Sequence, residues 1–296
     1  MGLKKLSTLL GQRMSVLGRR NSLTLLAASL LLVPGLCFGA NNTVLIVNGS
    51  STTSESGTTT SITTNLSAYV TAAGGVVTVS DGIPTSVSGY AQVWDIRFSN
   101  SSPLAAGDIT KYVAYLQGGG TLFAMGENGS FTTRNNSVIA LIAAAGGGSL
   151  TFTTGLSSTQ TVIVPFTLPN PVTSFTYSAP GGIVGLPSPG SGAFMTIDNA
   201  SGNGTGIWWH GAALSSAPNG TLAVVFDVNF METDASAPSQ NFLKNLVGQF
   251  AIISSGGGTT PTPAGAPAMS DLGLILLGLL LVVLAARSLR TAPALR

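Results

Sequence analysis

Between residues 43 and 145 short apolar runs alternate with amphipathic windows, and glycine pairs or triplets stand at the joints. No other feature limits the fold as much. Residues 43–48 (TVLIVN) are a short apolar run ending on a polar turn, the pattern of a strand buried on both faces. After a Ser/Thr/Gly loop over 49–60, residues 61–73 put Ile62, Leu66, Tyr69 and Val70 on one helical face, and Gly74-Gly75 stops the helix. Strands are predicted at 76–80 and 91–98 (AQVWDIRF), with Asp81-Gly82 as a turn between them. Residues 108–117 fit a second helix with Ile109, Val113 and Leu116 inward, ended by Gly118-Gly119-Gly120. A strand at 121–125 and a helix at 134–145 (Val138, Ile139, Leu141, Ile142) complete the series. Strands and helices at this spacing predict a parallel sheet with right-handed crossovers.

The pattern changes from about 149 to 210. Glycine and proline are frequent, helical periodicity is absent, and β-type runs occur at 161–166, 174–177, 194–197 and 206–209, so this stretch reads as a β-rich insertion. Residues 222–226 return as a buried strand, and 240–252 (QNFLKNLVGQFAI) form a closing helix with Phe242, Leu243, Leu246, Val247 and Phe250 inward. The expected α/β domain is therefore 41–255.

Charge is distributed unevenly. Between 41 and 268 only Arg97, Lys111, Arg134 and Lys244 are basic, against nine acidic residues, a net charge of −5. Nucleic-acid binding needs clustered cations that displace counterions, so that class is excluded. The other basic residues lie at the two ends. Five precede the apolar run 23–36, and small residues follow it, which is the layout of a secretory signal ending near Gly39 or Ala40. Met14 would start a more ordinary signal than Met1, Ser22 argues against twin-arginine export, and Leu36 before Cys37 argues against lipoprotein processing. Cys37 is the single cysteine. Removal of residues 1–40 leaves none, which excludes disulfides, thiolate metal sites and a cysteine nucleophile.

At the other end, 256–268 is a Gly/Thr/Pro linker and 272–286 is apolar throughout, with Arg287 and Arg290 directly after it. Together with 266–269 this approaches the ~20 residues that cross a bilayer, and the arginines place the tail inside and the domain outside. The order Pro267, Met269, Ser270, Asp271, Gly273, then span, then arginines resembles a bacterial C-terminal sorting signal of the exosortase type, whose motif reads Ile-Pro-Thr-Leu-Ser-Glu-Trp-Gly. Pro267, Ser270 and Gly273 match it, Met269 and Asp271 are conservative, and Ala266, Ala268 and Leu272 depart. That resemblance implies a signal peptidase and an exosortase-like protease as partners, transient membrane anchoring through the helix, and possible release to the cell surface.

The strand at 43–48, the run Gly118-Gly-Gly-Thr-Leu-Phe-Ala-Met-Gly-Glu-Asn-Gly-Ser130, and the strand–loop–helix at 222–252 are similar to the class I glutamine amidotransferase-like, flavodoxin-like fold. In that family the turn after the Gly-Gly strand carries a nucleophilic cysteine, followed later by a histidine and an acid. This chain has Glu127-Asn128-Gly129-Ser130 there and no His-x-Glu follower, so the resemblance implies the fold without that chemistry.

In an open parallel sheet, ligands sit beyond the carboxyl ends of the strands. Asn48, Ser50, Asp81, Ser99, Asn100, Glu127, Asn128, Asp227 and Asn229 are expected along that edge. Glu127, Asn128, Asp227 and Asn229 are the ligand-binding candidates, the first two on an exposed strand-to-helix turn. The competing reading of that turn is structural, with Asn-Gly shaping the backbone and Ser130, Thr132 or Thr133 capping a helix. Asp227, Asn229 and Glu127 offer oxygens that suit a hard cation, against an Asx turn at Asp227. Ser130, His210 and Asp227, with Glu127, are the candidates for a divergent hydrolytic site. Trp208-Trp209-His210 is either a sugar-stacking patch or core packing. No phosphate-binding loop is present, because Gly118-Gly119-Gly120 lacks the lysine, and no cofactor or metal is expected. These readings converge on an exported envelope protein with a non-catalytic α/β body that binds a matrix polysaccharide or protein, the alternative being a secreted hydrolase.

Overall fold

A computed structural model describes residues 42–53, 55–185 and 190–255. The expected signal peptide, linker, sorting motif and membrane helix lie outside these residues. Among the described residues no helix is long and apolar enough to cross a membrane.

Strand β1 (Thr43–Val47) is followed by α1 (Ser56–Ala72), β2 (Val76–Ser80), β3 (Gln92–Asp95), α2 (Ala106–Gln117), β4 (Thr121–Gly126) and α3 (Thr132–Ala145). Seven short strands come next: β5 (Phe152–Thr153), β6 (Thr159–Val162), β7 (Ser174–Thr176), β8 (Gly182–Ile183), β9 (Ala193–Phe194), β10 (Thr196–Ile197) and β11 (Gly206–His210). Strand β12 (Thr221–Phe226) and helix α4 (Ala237–Ser254) close the domain. The main sheet has seven strands in the order β2-β1-β3-β4-β12-β11-β9. Its first five are mutually parallel, and β11 and β9 are added antiparallel. The parallel part therefore has the 2-1-3-4-5 order of flavodoxin-like sheets.

Alternation along the strands divides the core. Val44 and Ile46 face one layer with Ile62, Leu66 and Val70 of α1 and Phe242, Leu246 and Phe250 of α4. Leu45 and Val47 face the other, with Tyr112 and Leu116 of α2 and Val138, Leu141 and Ile142 of α3. Trp94 is fully buried and stacks on Phe123 at 4.9 Å between ring centroids, with Phe250 at the same distance. Such pairs add about 0.5–1.5 kcal/mol each beyond burial.

Helix α1 starts five residues before the expected 61, inside the segment read as a loop. Its first turn has no apolar stripe, and the Thr60 hydroxyl bonds back to the Ser56 carbonyl (2.8 Å). Helix α4 starts at 237 rather than 240, because Ser236 caps it and Pro238 suits its first turn. The insertion is β-rich as expected but is not one body. The run 194–197 splits at buried Met195: Ala193–Phe194 pair with β11 in the main sheet, and Thr196–Ile197 pair with β6 in a three-stranded sheet ordered β10-β6-β7. Strands β5 and β8 form a separate pair.

Candidate functional site

Topology puts the switch point between β1 and β3, whose continuations leave in opposite directions, and a crevice there is the usual ligand position. In this chain the crevice is filled from within. Gly49 follows β1 with φ +63°, and a Cβ at Gly49 would lie 2.8 Å from Arg97 Cγ, so the arginine stem packs on the glycine. Arg97 Nε and Nη2 grip Asp95 as a fork (2.9 and 2.6 Å). Asp95 also accepts from Arg134 Nη2 (3.2 Å) and the Tyr112 hydroxyl (3.0 Å). Arg134, with no exposed surface, further donates to the carbonyls of Met125 (2.8 Å) and Ser102 (3.0 Å). Burial opposes ionisation of Asp95, but the charges of Arg134 and Arg97 outweigh it and hold its carboxyl below the usual range. Beside the crevice, Asp81 closes the Ser50–Ser51 loop by accepting from Ser50 Oγ (2.9 Å), Ser51 N–H (2.7 Å) and Ser51 Oγ (2.5 Å).

The Glu127 turn is also held from inside. Asn135 accepts from Glu127 N–H (2.8 Å) and donates to the carbonyls of Glu127 (2.8 Å) and Asn128 (2.9 Å). The Glu127 carboxylate accepts from Asn128 N–H (2.9 Å) and Nδ2 (3.1 Å), and its other oxygen accepts from Val228 N–H (2.9 Å), which ties β4 to the end of β12. Glu127 is 3 % exposed. Register pairs Gly126 with Phe226, so Glu127 and Asp227 leave adjacent strands side by side. Asp227 is buried and accepts from Ala179 N–H and Asn229 N–H (2.9 Å each), the latter an Asx turn. Burial, then the neighbouring Asp227, pushes the Glu127 carboxyl up to about 8, and burial also raises Asp227. Among the described residues no group of three or more His, Asp or Glu is arranged to hold a metal ion.

Asn128 accepts from Ser130 N–H (2.9 Å), and Ser130 is exposed at the loop tip. Helix α3 is capped neither by Ser130 nor by a threonine. Asn100, from the loop after β3, accepts from Thr133 N–H (3.0 Å) and Arg134 N–H (3.3 Å). His210 ends β11 opposite Thr221, the first residue of β12, and bonds its hydroxyl (2.7 Å). Asp227 follows the last residue of β12, so His210 and Asp227 stand at opposite ends of the sheet, on the order of 20 Å apart at ~3.3 Å per strand residue. The structure does not bring Ser130, His210 and Asp227 together. Trp209 is fully buried and donates to the Gly147 carbonyl (3.0 Å), while Trp208, 8 % exposed, stacks against His210 and meets Phe166 edge-on. These rings pack the core and do not form an open patch.

An accessible hollow lies elsewhere. A cavity of about 470 Å³ opens between β7, the turn at Asn229–Met231 and the start of α4. Phe175, Tyr177 and Phe230 line it along with Asn229 and the hydroxyls of Thr159, Ser174, Thr176, Ser178, Ser236 and Ser239. No charged side chain lines it. Of the expected ligand residues, only Asn229 borders this space. Sequence reading missed the cavity because its wall is assembled from the insertion and α4. It also missed the Asp95–Arg97–Arg134 cluster, although two of the body's four basic residues fall within expected packed elements, Arg97 in the strand at 91–98 and Arg134 at the start of the helix at 134–145, which was a usable signal.

Neither a family model nor a curated protein matches the chain. Among solved structures it is similar to the mmIFT52 N-terminal domain, with a TM-score of 0.51 and 11 % identity over 70 % of this chain and 96 % of that one. It is also similar to the exo-beta-1,4-mannosidase Op5Man5 from Opitutaceae bacterium strain TAV5, with a TM-score of 0.42 and 10 % identity, over 75 % of this chain and 36 % of that protein. At these identities the likeness concerns the fold alone. The likeness to the mmIFT52 domain accords with a mostly parallel, flavodoxin-like or amidotransferase-like α/β domain carrying small antiparallel insertions.

Proposed function

We propose that this chain is an exported cell-envelope protein, sorted through its C-terminal motif, apolar span and arginines, whose α/β body binds a neutral ligand without transforming it. The observation that carries the binding reading is the uncharged, hydroxyl-lined cavity beside Asn229, with aromatic rings in its wall. Phe175, Tyr177 and Phe230 are themselves buried, so the hydroxyls and the Asn229 amide are the groups offered to a saccharide or an uncharged polypeptide segment. The absence of catalysis is supported by internal saturation. Asp95 and Arg134 bond each other, Glu127 and Asp227 hold backbone N–H groups, and Arg97 fills the switch-point crevice. Cleavage by signal peptidase and by an exosortase-like protease would leave the body outside the cytoplasm, first anchored and then at the surface or in the matrix.

A thermal-shift screen of the mature protein against neutral oligosaccharides and matrix extracts tests the binding reading, since a ligand at a hundred times its Kd stabilises by about 2.7 kcal/mol. The stabilisation should vanish in Asn229→Ala and Ser174→Trp. A flat screen refutes the reading. The paired carboxylates Glu127 and Asp227 favour a second reading, a secreted hydrolase with a divergent site, because raised acids on one edge suit general acid–base work. Turnover of an ester, amide or glycoside that is abolished by Glu127→Ala or Ser130→Ala would establish it. Mass spectrometry of the mature C-terminus tests the sorting step, and an intact Arg296 on every molecule would argue for a permanent anchor.

A further inference from the structure

The two edges of the main sheet differ. At one end β9 is two residues long. At the other, β2 offers five residues, Val-Val-Thr-Val-Ser, with Val76 66 % and Val79 47 % exposed. Open edges are ordinarily blunted by lysine, proline, a bulge or a covering element, because a free row of backbone groups pairs with any other strand. Strand β2 contains none of these residues, and α1 beside it has no charged residue in all 17 positions.

The backbone of β2 defines how it would pair. Val76 N–H donates to the Asn42 carbonyl (2.9 Å), and the Ser80 carbonyl accepts from Asn48 N–H (3.0 Å). Residues 76, 78 and 80 thus turn their backbone groups to β1, and by alternation Val77 and Val79 turn theirs to the open edge. In an antiparallel pairing of two β2 strands centred on Thr78, Val77 of one copy faces Val79 of the other. Both present outward N–H and C=O groups, so the two symmetric pairs exchange four hydrogen bonds. Thr78 meets its own copy, Val76 meets Ser80, and Asp81 meets Gly75. No like charges oppose each other, and the self-complementary register closes with two-fold symmetry.

We infer that β2 is the contact through which two copies of this chain join, edge to edge, into one continuous sheet across a two-fold axis at Thr78. The copies of α1 then lie on the same face of the joined sheet, and the exposed Val76 and Val79 side chains gain cross-strand neighbours. This inference does not depend on the ligand proposed above.

The test uses the full-length chain carrying Cys37→Ser, so that an introduced thiol is the sole cysteine whether or not residues 1–40 are removed. Facing residues of a non-hydrogen-bonded antiparallel pair have Cα atoms about 4.5 Å apart, within the ~4.4–6.8 Å that a disulfide spans. Thr78→Cys should therefore convert almost fully to a disulfide dimer under mild oxidation. Val76→Cys, whose partner position is 80, should cross-link at least tenfold less, and a mixture of Val76→Cys and Ser80→Cys chains should form heterodimers. Light scattering should report a dimer for the unmodified protein and a monomer for Val79→Lys with unchanged circular dichroism. Overturning results are a monomer at every concentration, equal cross-linking of Thr78→Cys and Val76→Cys, or a dimer that survives Val79→Lys. A protein of different sequence captured on β2 while Thr78→Cys stays monomeric also overturns it.

Discussion

Glu127→Gln is the substitution in which the buried turn exposes its electrostatics most directly. The folded chain holds the Glu127 proton to about pH 8, whereas the ordinary value is 4.5. Between those limits the unfolded chain has released a proton that the native chain retains. Stability therefore falls as pH rises, by at most about 1.4 kcal/mol per pH unit. His210, the single histidine, has the opposite sign. Burial lowers its pKa from 6.5, so its contribution is lost as pH falls below that value. The window from pH 6.5 to 8 is thus the clearest for Glu127 and corresponds to a loss of about 2 kcal/mol. Glutamine does not titrate. Its amide also turns a donor toward one of the N–H groups of Asn128 or Val228 that now meet a carboxyl oxygen, at a cost of about 1–3 kcal/mol. The variant should be the less stable protein at pH 6.5, with the gap shrinking by about 2 kcal/mol by pH 8. Urea unfolding followed by the fluorescence of Trp94, Trp208 and Trp209, all buried, measures both curves. A gap that stays constant across the window would refute the assignment of this proton to Glu127.

Three other substitutions probe the frame around that turn. Arg134→Met leaves Asp95 short of one cation and the carbonyls of Met125 and Ser102 without their donor, and should cost about 3–5 kcal/mol in the same unfolding assay. Gly126→Ala places a methyl against the Phe226 ring and near Asn135 Oδ1 (3.0 Å), and should cost about 1–3 kcal/mol, read as a lowered melting temperature. Asn100→Ala removes the cap of α3 and should cost about 1 kcal/mol, with hydrogen exchange accelerating first at Thr133 and Arg134.

The parallel sheet was legible because each strand and helix carried its own period and stop signal. Gly74-Gly75 and Gly118-Gly119-Gly120 stand at the ends of α1 and α2. The helix starts were harder to read. Ser56 to Thr60 carry no apolar stripe, and the cap of α3 comes from Asn100, more than thirty residues away. Local pattern cannot name a distant partner. Candidate residues at strand ends were readable from alternation, so Glu127 and Asp227 fall side by side as their positions imply. Their hydrogen-bond partners were not readable, since Val228, Ala179 and Asn135 approach through register and loop geometry. His210 shows the same limit. Its sequence neighbours suggested a site or a stacking patch, and only the antiparallel pairing of β11 with β12 places it at the other end of the sheet.

All four cations of the body are engaged. Arg97 and Arg134 grip Asp95, Lys111 donates to the Pro84 carbonyl (2.8 Å), and Lys244 sits 5.0 Å above the Tyr69 ring. Of the nine acids only Asp95 is paired with a cation among the described residues, and Glu55, Asp81 and Asp234 are exposed. In kinetic terms, a diffusing polyanion meets a weakly repelling surface and gains no steering, while a cationic visitor is drawn in only over the roughly 8 Å of a physiological Debye length. Encounters with neutral partners should consequently proceed at nearly the same rate in dilute buffer and in sea-strength salt. That insensitivity would suit the proposed display outside the cell, where ionic strength is set by the surroundings.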